Sequence, residues 1–251
     1  AIDASIAAVI NCAAFTDVDG AEAQEAAAFA LNAEAPGLLA AACNRARIPL
    51  VHLSTDYVFA GTLDRPMRED DPVAPQGAYG RTKAEGEWRI MAAGGPHLIF
   101  RTAWVVSPWR KNFVKTMIRL AGERDEISVV ADQQGCPTSA QDLAGALAAL
   151  LPGVIAEPAA APQLYHLVND GEASWFELAR YVMERLGAAG QRAAVVRAIP
   201  TSAYPTPASR PANSRLSTEA FTRRFGIEMR HWKAAVGDVI DQCLAESEEL
   251  S

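Results

Sequence analysis

Tyr79 and Lys83 stand four positions apart in the segment YGRTK. On a helix that spacing puts a phenol and an ammonium on one face, one turn apart. A free phenol, with a pKa of about 10, holds its proton too tightly for efficient transfer at neutral pH. A neighbouring ammonium favours the phenolate, so the pair predicts a tyrosine pKa lowered toward neutrality and matched to proton transfer. The same lysine can hydrogen-bond the ribose of a nicotinamide cofactor. A solvent-facing helix pair would have the same spacing, so the motif alone does not choose.

The neighbouring segments add weight. Pro49–Phe59 (PLVHLSTDYVF) is an apolar run that ends in hydroxyls and a carboxylate. Ligands of open α/β sheets bind beyond the carboxyl ends of the strands. Thr55 is thereby placed to hydrogen-bond a substrate carbonyl and Asp56 to hold a sugar hydroxyl. The competing reading is a helix or turn cap by Ser54 or Asp56. Asn11–Thr16 (NCAAFT) also ends an apolar strand, and its small residues let a cofactor approach the backbone. Small residues after a strand are equally an ordinary packing choice.

Holding these groups in place requires alternating strands and helices. Strands are predicted at Ala8–Ala14, Pro49–Leu53, His97–Val106 and Ile127–Val130. Helices are predicted near Gly20–Leu31, Pro36–Ala46, Tyr79–Ala92, Asn112–Ala121 and Ser139–Leu151. Short apolar strands separated by helices imply βαβ units and an α/β fold with a doubly wound parallel, Rossmann-like sheet. Pro152–Pro162 reads as a linker or crossing segment. Beyond it come a strand at Leu164–Val168, a helix at Ser174–Leu186 capped by Ser174 and Glu177, and an extended Ala194–Ile199. The expected division is a nucleotide-cofactor-binding domain at 1–150 and a smaller α/β substrate lobe at 151–251, with the chain crossing between them.

The 251 residues are 50% hydrophobic and 21% charged, enough apolar material for a large core and a lobe. The net charge of −7, with arginine and lysine scattered, excludes nucleic acid as a partner. An anionic small ligand stays compatible, because two or three placed arginines hold a diphosphate. Four cysteines and four histidines are dispersed without CxxC, HxxxH or HExxH spacing, so no metal is expected. Isolated cysteines fit a reducing compartment. No apolar run is read as approaching the roughly 18 residues of a membrane span, and no secretory signal is read. A cytoplasmic protein with no membrane partner is expected.

VINCAAFTDVDGAE, HLSTDYVFAG, YGRTKAEGE, FRTAWV, NFVKTM, DQQGCPT, LYHLV and AYPTPASRPANSRL together resemble the dTDP-4-dehydrorhamnose reductases of the extended short-chain dehydrogenase/reductase group. The motifs follow the family order over nearly the whole chain. The resemblance implies hydride transfer from NADPH or NADH to C4 of dTDP-4-dehydro-L-rhamnose, giving dTDP-L-rhamnose for cell-surface polysaccharide. The substrate, a dTDP-4-keto-deoxyhexose, would lie in a cleft between sheet and C-terminal lobe. By the same resemblance Tyr79 is the proton donor, Lys83 positions the nicotinamide ribose and tunes the tyrosine, and Thr55 polarises the carbonyl. Asp56 and Trp104 are expected at the sugar. Ala14, Phe15 and Thr16 line the cofactor, with Phe15 where relatives often carry tyrosine. Arg210 and Arg215 are candidates for the diphosphate or members of a solvated loop, and Trp175 is read as packing.

The main departure is that the family's glycine-rich strand-turn-helix (GxxGxxG type) has no match here. The chain therefore reads as lacking an N-terminal segment, with poor cofactor binding and doubtful activity expected of it as it stands. Some relatives hold magnesium at a dimer contact; no ligands for it map onto this sequence, and a homodimer is left open. Two other functions share parts of the pattern. An epimerase or 4,6-dehydratase of the same group also uses Tyr-x-x-x-Lys but consumes no cofactor. A noncatalytic regulatory subunit, like the beta subunit of methionine adenosyltransferase, would keep the fold without the reaction.

Overall fold

In the computed structural model, which describes residues 2, 5–157 and 163–249, β1 (Val9–Asn11) is followed by three helical segments. These are α1 (Val18–Ala23), α2 (Glu25–Phe29) and, after a π-helical turn at Ala30–Glu34, α3 (Ala35–Ala46). β2 (Leu50–Thr55) runs into a 3-10 turn at Asp56–Val58, and α4 (Ala78–Ala93) leads to β3 (His97–Thr102). Then come β4 (Val105–Val106), α5 (Phe113–Glu123), β5 (Glu126–Val130), β6 (Gln134–Gly135), β7 (Thr138–Ser139) and α6 (Ala140–Ala156). The chain closes with β8 (Gln163–His166), β9 (Ala173–Ser174), α7 (Trp175–Ala188), β10 (Val195–Ile199), α8 (Glu219–Phe225) and α9 (Trp232–Glu249).

The residues gather into two compact units that interleave along the chain. The first holds Ala1–Thr102, Leu147–Leu167 and Thr206–Ile227; the second holds Ala103–Ala146, Val168–Pro205 and Glu228–Ser251. Residue 150, the expected domain boundary, lies inside α6. Pro152 does not end that helix as the linker reading required. Pro152 and Ala148, whose carbonyl has no amide to accept from at position 152, are both exposed. The rest of the expected linker, Pro158–Pro162, lies outside the described residues.

In the first unit β1, β2, β3 and β8 form a parallel sheet in that order, with Leu50 opposite His97 and Thr55 opposite Thr102. All six residues of β3 are buried, as a parallel strand covered on both faces requires. Crossovers carry α3 and α4 onto this sheet, where Ala40, Cys43 and Ile90 pack with Leu50 and Ile99. The expected α/β fold with a parallel central sheet is the one observed.

The stretch Glu25–Ala46 is long and apolar enough to cross a membrane by length and composition, which the sequence reading passed over. In this fold about a third of the stretch is buried, including Ala28, Ala33, Ala40, Cys43 and the polar Asn32.

The second unit pairs β5 with β10 in parallel, β4 with β7, and β6 with β9. Helices α5, α7 and α9 bury Val114, Met117, Leu178, Val182, Val236 and Ile240 together. Ser174 and Glu177 form the expected capping box on α7. The single strand expected at His97–Val106 is broken at Trp104, whose φ of 48° is incompatible with a strand.

Candidate active site

β2 ends at Thr55, and three side chains meet there. The Thr55 hydroxyl donates to Asp56 Oδ1 at 2.9 Å and accepts the Tyr57 amide at 3.2 Å. The Tyr79 phenol lies beside it, where the hydroxyl favours the phenolate. The Tyr57 ring meets Tyr79 edge to face at 5.6 Å and fixes the phenol sideways.

Tyr79 reaches this point because α4 is docked closely. Glu22 on α1 accepts the Ala78 amide at 2.7 Å, satisfying a donor of the first helical turn. Gly80 lies so near the turn after β2 that a Cβ there would stand 2.2 Å from the Tyr57 carbonyl. Six residues on, a Cβ at Gly86 would stand 2.1 Å from the Asn32 carbonyl. Both glycines of the motif region are therefore required by close backbone approach.

Burial sets the electrostatics. Asp56 is 3% exposed, and desolvation raises its pKa to about 6 against the opposing hydroxyls of Ser214 and Thr55. Its Oδ2 is buried without a hydrogen-bond partner among the described residues. The Tyr79 phenol is pushed up to about 12, first by burial and further by the Asp56 charge, with the Thr55 hydrogen bond opposing. This corrects the expectation of a tyrosine lowered by Lys83. The lysine is turned elsewhere: its Nζ donates to the Leu53 carbonyl at 2.6 Å and lies 3.2 Å from His52 Nε2. Lys83 is itself fully buried, and desolvation lowers its pKa to about 8 against the attraction of Glu87 and Cys12.

Below the site Glu87 and Arg101 form a bidentate ion pair at 3.0 and 2.7 Å, 1% and 3% exposed. The Ser54 hydroxyl donates to the same carboxylate, and Phe59 covers the guanidinium at 4.8 Å. This pair ties α4 to β2 and β3.

Ala14, Phe15 and Thr16 form a strap after β1. Asn32, fully buried in the π-helical turn, accepts the Phe15 amide at 2.8 Å and donates to the Phe15 carbonyl at 3.1 Å and to Thr82 at 3.2 Å. The Phe15 ring packs with Ala21, Ala28, Ala78 and Tyr79, leaving Thr16 exposed. Arg210 places both guanidinium nitrogens on Asp19 at 3.0 and 2.8 Å, so a diphosphate would compete with that carboxylate. Trp104 belongs to the second unit, where its ring stacks on Trp175 at 3.5 Å and 8° and covers Gly135. Trp175 thus packs against a candidate sugar-binding residue as well as against Phe113.

Sequence reasoning missed Asn11, Asn32, His52 and the Glu87–Arg101 pair. The available signal was a polar residue interrupting an apolar run: Asn32 within Ala26–Ala42, and His52 within PLVHL.

The RmlD substrate binding domain model of protein families matches residues 2–245. A dTDP-4-dehydrorhamnose reductase of Burkholderia thailandensis is 45% identical over 251 aligned positions, covering 97% of this chain and 84% of that protein. The crystal structure of a dTDP-4-dehydrorhamnose reductase from Clostridium acetobutylicum is 38% identical, with a TM-score of 0.87 over 97% of this chain and 82% of that one. A reductase of the same name from Bacillus anthracis, solved in complex with NADP, is 33% identical with a TM-score of 0.82, over 94% and 79%.

Proposed function

The chain belongs to the dTDP-4-dehydrorhamnose reductase family, and from that premise we propose that it reduces the 4-keto group of dTDP-4-dehydro-L-rhamnose at the carboxyl end of β2. It is an NAD(P)H-dependent oxidoreductase. The observation that carries the site reading is the meeting of Tyr79, Thr55 and Asp56 at the end of β2, with Lys83 one helical turn beyond Tyr79.

The residues present suit the nicotinamide and ribose end of the cofactor. Lys83 brings an amino group, and Ala14 and Thr16 lie on a strap that Asn32 holds by both backbone groups. The 251 residues contain no GxxGxxG turn for the pyrophosphate. A bound reduced nicotinamide supplies the hydride. Tyr79, held protonated by burial, gives its proton to the carbonyl oxygen as negative charge develops there. Thr55 can donate to that oxygen only when Asp56 releases its hydroxyl proton. A sugar hydroxyl donating to Asp56 would compete for the carboxylate and free Thr55. Substrate binding and carbonyl polarisation are thereby linked through one carboxylate. Trp104 is assigned to the sugar ring and the parallel sheet to the cofactor. We place the enzyme in the cytoplasm; light scattering would test for a homodimer.

The test is net cofactor oxidation. The full-length protein, given the keto-sugar and NADPH, should oxidise one NADPH per sugar reduced. Turnover of the sugar without NADPH loss would instead identify an epimerase or dehydratase. Absence of turnover, with capture of a larger enzyme, would identify a regulatory subunit.

A further inference from the structure

His52 lies in the middle of β2, wholly buried, and each ring nitrogen faces a nitrogen. Nδ1 is 3.0 Å from Asn11 Nδ2, and Nε2 is 3.2 Å from Lys83 Nζ. The orientation of the Asn11 amide is fixed by its other end. Asn11 Oδ1 accepts the Ala13 backbone N–H at 3.1 Å, and a backbone N–H can only donate. The amide NH2 must therefore point at His52 Nδ1, which is then the acceptor. A neutral imidazole has one acceptor and one donor. Its proton is consequently on Nε2, facing Lys83, and an ammonium has no lone pair to receive it. A neutral amine does, and it still donates an N–H to the Leu53 carbonyl.

We propose that Asn11 and His52 are positioning residues that hold Lys83 as a neutral amine, so that charging the lysine requires the imidazole to change tautomer. The alternatives each bury a donor against a donor. With Lys83 charged and the proton on Nδ1, the ring N–H meets the Asn11 NH2. With Asn11 turned over, its NH2 meets the Ala13 N–H. Protonating the ring is opposed too, since burial above all holds its pKa well below the usual histidine value, and a charged Lys83 would lower it further. Glu87 on α4 and Cys12 after β1 are the other titratable groups acting on Lys83, and both favour its charged form. Desolvation opposes them, and the imidazole N–H acts with it. The inference rests on the reading of Lys83 as a residue of the reductase site.

The chain has four histidines and four lysines, so nitrogen NMR of this chain labelled with 15N-histidine and 15N-lysine can resolve both partners. H52Q and K83M assign the signals. At a pH where ordinary lysines are fully charged, His52 should carry its proton on Nε2 and Lys83 should show an amine nitrogen. In Asn11→Asp a carboxylate would accept from Nδ1–H, reversing the tautomer and moving the Lys83 titration up by about one pH unit. A protonated Nδ1 beside a charged Lys83 in the unaltered protein would overturn the inference, and needs no variant to be seen. Turnover of K83M separates the two readings. If K83M turns over normally while the Nε2–H tautomer is found, the site reading fails and the coupling stands. If K83M is inactive while Nδ1–H is found, the coupling fails and the site reading stands.

Discussion

Replacing Glu87 by Gln removes a charge from a place where its partner cannot adapt. The carboxylate receives three hydrogen bonds, from Arg101 Nε, Arg101 Nη2 and Ser54 Oγ. Glutamine keeps one acceptor oxygen and turns an NH2 toward the guanidinium. Arginine does not lose its proton in a protein, so the positive charge stays buried, and Arg101 Nη1 already lacks a partner among the described residues. Breaking a buried pair from one side costs about 3–5 kcal/mol. For a chain of this size that is a fall in melting temperature of about 6–20 °C. Thermal unfolding followed by circular dichroism reads it. The double variant E87L/R101L leaves no orphaned charge and should recover most of the loss, because paired apolar replacements of buried ion pairs are often neutral or stabilising. A melting temperature for E87Q within about 2 °C of the parent would refute the reasoning, since it would mean the guanidinium finds another anion or water.

Y79F should lower turnover by about 10²-fold or more with cofactor affinity retained, and unchanged turnover would remove the proton-donor role. Asp56 binds its proton more tightly folded, with a pKa of about 6, than unfolded, near 3.8, so stability should fall as pH rises between those values. D56N lacks that dependence and should be more stable at neutral pH by about 3 kcal/mol, though less active; urea titrations at both ends of the window compare the slopes, and equal slopes would contradict the assignment. G86A must push Asn32 away and should weaken both stability and cofactor binding. G145A, inside α6 with nothing within 4 Å of its added methyl, should gain up to about 1 kcal/mol from helix propensity, and a loss there would show that the tight contact is not what distinguishes Gly86.

The parallel sheet was legible because β2 and β3 are short apolar runs bounded by turn residues, and such runs have few other uses. Thr55 and Asp56 were legible as the polar end of one such run. The Tyr79–Lys83 spacing correctly placed both on one helix, but spacing carries no information about what lies beside each side chain. Lys83 lies against the backbone of β2 and against His52, contacts set by a parallel register that no local pattern encodes. The tyrosine pKa was therefore anticipated with the wrong sign: burial, a tertiary property, outweighs the expected charge. Trp104 was read as part of a continuous strand because its apolar neighbours on both sides fit one; its left-handed backbone goes with a ring held by Gly135 and Trp175, distant in sequence. The helix through Pro152 was missed because local propensity says nothing about which face of a helix meets solvent.

A crystal structure of the full-length protein with NADP and a dTDP-sugar carrying an oxygen at C4 tests the central claim most directly. The account predicts that oxygen within hydrogen-bond distance of both the Thr55 and Tyr79 hydroxyls, with Lys83 on the nicotinamide ribose and Asp56 on a sugar hydroxyl. A sugar whose C4 oxygen contacts neither hydroxyl, or a ribose held by residues other than Lys83, would contradict it.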